Sequence, residues 1–218
     1  MLHGENGRGP EMQLPTTISG FVASENAGVR QTLLQTAKAT LVGGGDQRVP
    51  VRVLLDSGSQ RSYITKKEAE SLALQGPTEV LSMSMLGGES SQTKRMKRVS
   101  FFLTSVQGTD LKSVEMEALT IDRICMPLDP VELNLEKYLH LRNLMLADLY
   151  PHGSVDIYVL IEADFYFSFV TGNCVKGETL NSPTAVESTF GWIVSGPIEG
   201  QLSKSSMSVL STVCIDPE

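Results

Sequence analysis

An apolar run, Val53-Leu54-Leu55, drives straight into Asp56-Ser57-Gly58, and no other junction constrains the chain as tightly. A carboxylate at the end of a buried strand is costly unless hydrogen bonds satisfy it. Ser57 and the backbone N–H of Gly58 are placed to do so, and glycine allows a tight turn with no Cβ in the way. The same tripeptide is also ordinary turn chemistry, so its meaning depends on what surrounds it. Upstream, Gln35–Val42 and Val49–Leu55 flank Gly43-Gly44-Gly45-Asp46, which reads as a hairpin whose second strand ends at Asp56.

The rest of the chain alternates in the same manner. Tyr63 to Pro77 is expected to hold a helix of about ten residues, with Thr65 and Glu68 at capping-box spacing and Gly76-Pro77 as the stop. Val80–Leu86 runs toward Gly87-Gly88 as a second hairpin with an exposed tip. Val99–Thr104 and Val114–Ile121 read as two strands joined near Gly108. Leu133–Leu149 is leucine-rich at helical spacing and closed by Pro151. Val155–Ile161 reads as a buried strand, Ala163–Phe169 as the start of a short helix, and Ala185–Val194 as one late strand. About seven or eight short strands with few helices point to a mostly β barrel or sandwich. Three regions are expected: a flexible leader over 1–35, a folded domain over 36–200, and a Ser-rich tail over 201–218.

Composition narrows the function. Eighteen Lys and Arg stand against 25 Asp and Glu, a net charge of −7, which argues against a phosphate-backbone partner for this segment. Glu162 and Asp164 interrupt the best apolar run, so no membrane span is expected. Met1–Pro10 lacks the apolar core of a signal peptide, and Cys125, Cys174 and Cys214 are scattered, so a cytoplasmic, reducing setting is expected. The cysteines and His3, His140 and His152 have no metal-ligand spacing; neither a metal nor a cofactor is expected. Gly43-Gly44-Gly45 lacks dinucleotide-loop spacing, with Arg48 where a third glycine belongs. Lys94-Arg95-Met96-Lys97-Arg98 reads as a solvated strand edge that deters edge pairing, with contact to an acidic partner or to RNA as the alternative. No Gly-x-Ser-x-Gly or His-Glu-x-x-His occurs, which removes serine hydrolases and zinc peptidases of those types.

The order of parts resembles a retroviral-type (retropepsin-like) aspartic protease, and more narrowly the peptidase segment of BEL/Pao-type retrotransposon polyproteins. Leu54-Leu55-Asp56-Ser57-Gly58-Ser59-Gln60-Arg61-Ser62-Tyr63-Ile64 resembles that group's catalytic loop. Leu160-Ile161-Glu162-Ala163-Asp164-Phe165-Tyr166, Val170-Thr171-Gly172 and Gly191-Trp192-Ile193-Val194-Ser195-Gly196-Pro197 resemble its downstream blocks. Met1-Leu2-His3-Gly4 is similar to the end of the cysteine/histidine-rich segment that precedes such peptidases. The resemblance implies a closed acid-protease barrel with one or two short helices, acting as a homodimer. Asp56 would be catalytic, Ser57 and Gly58 would support its loop, and Met85, Leu86, Gly87 and Gly88 would form a flap over a peptide or polyprotein substrate. Ile161, Glu162, Ala163 and Asp164 would form a loop near the site. Glu162 stands where the group carries glycine, and its longer, charged side chain is expected either to bend out to solvent or to disturb the catalytic pair. A barrel kept only for dimerisation or peptide binding is the alternative reading.

Overall fold

A computed structural model describes residues 31–45, 47–58, 60–84, 92–107, 112–128, 133–149, 155–198 and 214–216. In chain order its strands are β1 (Gln31–Leu33), β2 (Thr36–Val42), β3 (Arg48–Leu55), β4 (Tyr63–Thr65), β5 (Thr78–Ser84), β6 (Gln92–Ser105) and β7 (Ser113–Ile121). They continue as β8 (Val159–Ile161), β9 (Val170–Lys176), β10 (Thr184–Ser188), β11 (Gly191–Ile198) and β12 (Cys214–Asp216). Helix α1 spans Lys66–Ser71, α2 spans Tyr166–Phe169, and a 3-10 turn covers Leu139–Leu141.

Six strands close on themselves in the cyclic order β2-β3-β8-β4-β7-β6, with β6 returning to β2. The mostly β, closed-barrel fold and its two short helices are therefore as expected. Alternation decides which side chains enter the barrel. Val51, Val53 and Leu55 of β3 share one interior cluster with Ala37, Ala39 and Leu41 of β2 and with Val99, Phe101 and Leu103 of β6. The opposite face is also covered beside the site: Leu54, Tyr63, Met96, Leu119, Ile157 and Leu160 form a second cluster. That double burial is why β3 ends as an unbroken apolar run.

Strands β9, β10 and β11, joined by β1, form a separate four-stranded sheet in the order β1-β11-β10-β9. Gln31–Leu33, inside the segment read as a leader, pairs with Gly196–Ile198, and Leu33 is buried. At the other end of the chain, β12 pairs antiparallel with Ser82–Ser84 of β5.

Four local expectations are corrected. The helix after Thr65 has six residues, not about ten. Ala73 turns into the left-handed region at φ +48°, and a Cβ at Gly76 would lie 1.7 Å from the Arg98 carbonyl oxygen, so the chain must leave the helix to pass over β6. Leu133–Leu149 is not an α-helix. The Asn134 side chain accepts from the Glu136 N–H and diverts the backbone. Farther on, the Ala147 N–H donates to the Trp192 carbonyl while the Ala147 carbonyl accepts from the Lys38 N–H. The leucines instead coat the four-stranded sheet, where Leu141 and Leu146 pack with Leu33, Val194 and Ile198. Ala185–Val194 is a hairpin, not one strand; Gly191, at φ +110°, makes the reversal and sits where a Cβ would meet the Met145 carbonyl at 2.7 Å. Only Val159–Ile161 of the 155–161 run is a ladder strand, while Val155 makes an isolated bridge to Leu128.

Candidate active site

Strand β8 lies between β3, its parallel neighbour, and β4, its antiparallel neighbour. The 56–62 connection must therefore cross the end of β8, a span of roughly 10 Å at ordinary strand spacing. This crossing holds Asp56. Its N–H donates to the Ile161 carbonyl at 2.9 Å, continuing the β3–β8 ladder by one residue. Its Oδ1 accepts the Gly58 N–H at 2.9 Å. The carboxylate is half-buried, while Ser57 and Gly58 are exposed.

The far side of the crossing is tied down by Ser62, which is buried. Its hydroxyl donates to Asp164 Oδ1 at 2.7 Å and its N–H donates to Asp164 Oδ2 at 3.1 Å. The same hydroxyl oxygen accepts the Glu162 N–H at 3.1 Å. Ile161 thus meets the turn at Asp56, and Glu162 and Asp164 meet it at Ser62. The Glu162 carbonyl accepts from the N–H groups of Phe165 and Tyr166, which starts α2.

Glu162 does not bend out to solvent; it is 2% exposed. Its charge acts on Tyr63, whose phenol is pushed up to about 12, first by burial and then by Glu162, with Asp164 adding to the rise and Arg61 opposing it. The Tyr63 hydroxyl is buried without a hydrogen-bond partner among the described residues. Behind the site, Tyr166 donates to Gln35 at 2.9 Å, and Asp148 accepts from both Arg52 (2.6 and 3.0 Å) and Thr36 (2.9 Å).

Ser62 and Tyr63 lie inside the run that resembles a catalytic loop, yet sequence reading gives them no role. The partners of Ser62 are 100 and 102 residues away, and only the barrel closure brings them together. β5 and β6 pair up to Met83 and Gln92; the expected flap residues between them, Met85, Leu86, Gly87 and Gly88, lie outside the described residues. Among the described residues no three His, Cys, Asp or Glu side chains converge as metal ligands, and no helix is long and apolar enough to cross a membrane.

The closed β barrel thus presents at the end of β3 an aspartate braced by two backbone groups. Residues 44–201 match the family described as "Putative peptidase (DUF1758)", and the chain belongs to that family. No curated protein and no solved structure matches it.

Proposed function

We propose that the chain is an aspartic endopeptidase of the retropepsin type, whose catalytic pair forms when two copies meet at Asp56. One observation carries the reading: Asp56 is a half-buried carboxylate at the end of a doubly buried strand, with its N–H on Ile161 and its Oδ1 on Gly58. Such a group is rigid yet reachable. The sequence carries Asp-Ser-Gly once, so a second carboxylate is supplied most simply by a C2-related copy.

Two carboxylates about 3 Å apart share one proton and titrate as a unit. The ionised member takes a proton from water as the oxygen attacks the scissile carbonyl. The protonated member meanwhile donates a hydrogen bond to the carbonyl oxygen. The substrate is an extended peptide held by backbone hydrogen bonds beneath the β5–β6 hairpin of each copy. The family resemblance makes the element's own polyprotein its natural source, in an intracellular setting that suits the free thiols of Cys125 and Cys174.

Burial of Glu162 beside the turn favours a second reading, a barrel kept for dimerisation or peptide binding. Incubation with an unstructured polypeptide between about pH 4 and 7, with and without pepstatin, separates the two. Fragments that disappear with pepstatin and with Asp56→Asn support the endopeptidase. Intact polypeptide at every pH leaves the binding module.

A further inference from the structure

We propose that Asp164 is a positioning residue for Asp56, acting through Ser62. The role rests on the reading of Asp56 as catalytic. The turn has two anchors, one at each end of its crossing over β8. The first is backbone only, from the Asp56 N–H to the Ile161 carbonyl. The second gathers at Ser62: both oxygens of Asp164 accept from it, one from its hydroxyl and one from its N–H, while its carbonyl accepts the Leu119 N–H at 3.0 Å.

Ser62 suits this place because its hydroxyl works in both directions at once. It donates to Asp164 and accepts from the Glu162 N–H, so one side chain staples the turn to the first and third residues after β8. Ser62 is 1% exposed, and loss of Asp164 takes the protein acceptor from both its hydroxyl and its N–H. The far end of the turn then keeps only the Glu162 N–H on the Ser62 hydroxyl and the Leu119 N–H on the Ser62 carbonyl, and the placement of Asp56 loosens. Small displacements of a reacting group are expensive: about 1 Å can cost on the order of a hundredfold in rate. Asp164 itself faces solvent beside the turn. Its effect is therefore expected in the placement of Asp56, without removal of core packing.

The test uses the full chain and two readouts. Amide hydrogen exchange at Asp56 reports whether the turn is held, independently of activity. In Asp164→Ala and Ser62→Ala it is expected to quicken about tenfold, with amides of β10 and β11 unchanged. In steady-state cleavage the same variants are expected to lose on the order of 10–100-fold in kcat with KM within about twofold. Ser62→Thr keeps the hydroxyl and is expected to keep most of kcat. The double variant is expected to lose less than the product of the two single losses, because both substitutions remove the same bond from the Ser62 hydroxyl to Asp164. Should Asp164→Ala fail to fold, Asp164→Asn, which retains one acceptor oxygen, is expected to show the smaller change in the same directions. Unchanged exchange at Asp56, or faster exchange with unaltered kcat, overturns the proposal. If the unsubstituted chain cleaves nothing, the endopeptidase reading fails and the proposed effect on catalysis falls with it; exchange still reports whether Asp164 fixes the turn.

Discussion

Tyr63 and Glu162 show how much chemistry two adjoining residues can impose on the barrel's outer face. The Tyr63 hydroxyl is buried without a partner among the described residues, and a stranded polar group costs about 1–3 kcal/mol. Tyr63→Phe is therefore expected to leave the protein at least as stable, by up to about 1 kcal/mol in urea unfolding at neutral pH. The alkaline limb should change as well. The ordinary phenol titrates at 10.0, whereas Tyr63 in the folded chain is raised to about 12. Below pH 10 both folded and unfolded chains keep the proton, and the contribution is fully present. Between about pH 10 and 12 the unfolded chain releases its proton first, so stability falls by a total on the order of 2–3 kcal/mol. Tyr63→Phe should abolish that part of the loss. Because the Glu162 charge contributes to the rise, Glu162→Gln is expected to lower the Tyr63 phenol, seen as an earlier alkaline transition in the ultraviolet spectrum; an unmoved transition would exclude Glu162 as a cause.

At the scale of elements, the Leu-rich 133–149 segment does the work of a strut between the two sheets. Its backbone bonds to β2 through Lys38 and to β11 through Trp192, and its Asp148 meets Arg52 of β3 in a nearly buried ion pair. Asp148→Ala leaves the Arg52 charge buried and is expected to cost about 3–5 kcal/mol in denaturant unfolding; a loss below 1 kcal/mol would mean that the segment is held by its leucines alone. Gly76 is the corresponding close approach on the hairpin side. A Cβ there collides with the Arg98 carbonyl, so Gly76→Ala is expected to destabilise by about 1–3 kcal/mol through displacement of the β5–β6 base. These elements also mark what the sequence could and could not reveal. Strands such as β2 and β3 were legible because each buries a face at period two and ends in a glycine or an Asp-Ser-Gly turn. The strut was not, because leucines spaced for a helix serve equally well to cover a sheet once Asn134 turns the backbone and neighbouring strands claim its amides. Asp56 stood out by its local chemistry. The tie between Ser62 and Asp164 did not, since nothing local relates two residues 102 apart.

On the scale of the whole molecule, a single barrel with one Asp-Ser-Gly turn is half of the proposed catalyst. Hydrolysis should therefore depend on association, and specific activity should fall on dilution below the dimer dissociation constant. The same requirement gives the most direct test of the proposed mechanism. Mixing the unsubstituted chain with an equal amount of Asp56→Asn, under conditions that let subunits exchange, yields about one quarter dimers with both carboxylates if pairing is random. Cleavage is expected to fall to about one quarter of that of the same total protein unsubstituted, and to follow the square of the unsubstituted fraction across a mixing series. A linear series, with about half the activity remaining at equal mixing after exchange is complete, would show that each copy acts alone and would contradict a catalytic pair built from Asp56 of two chains.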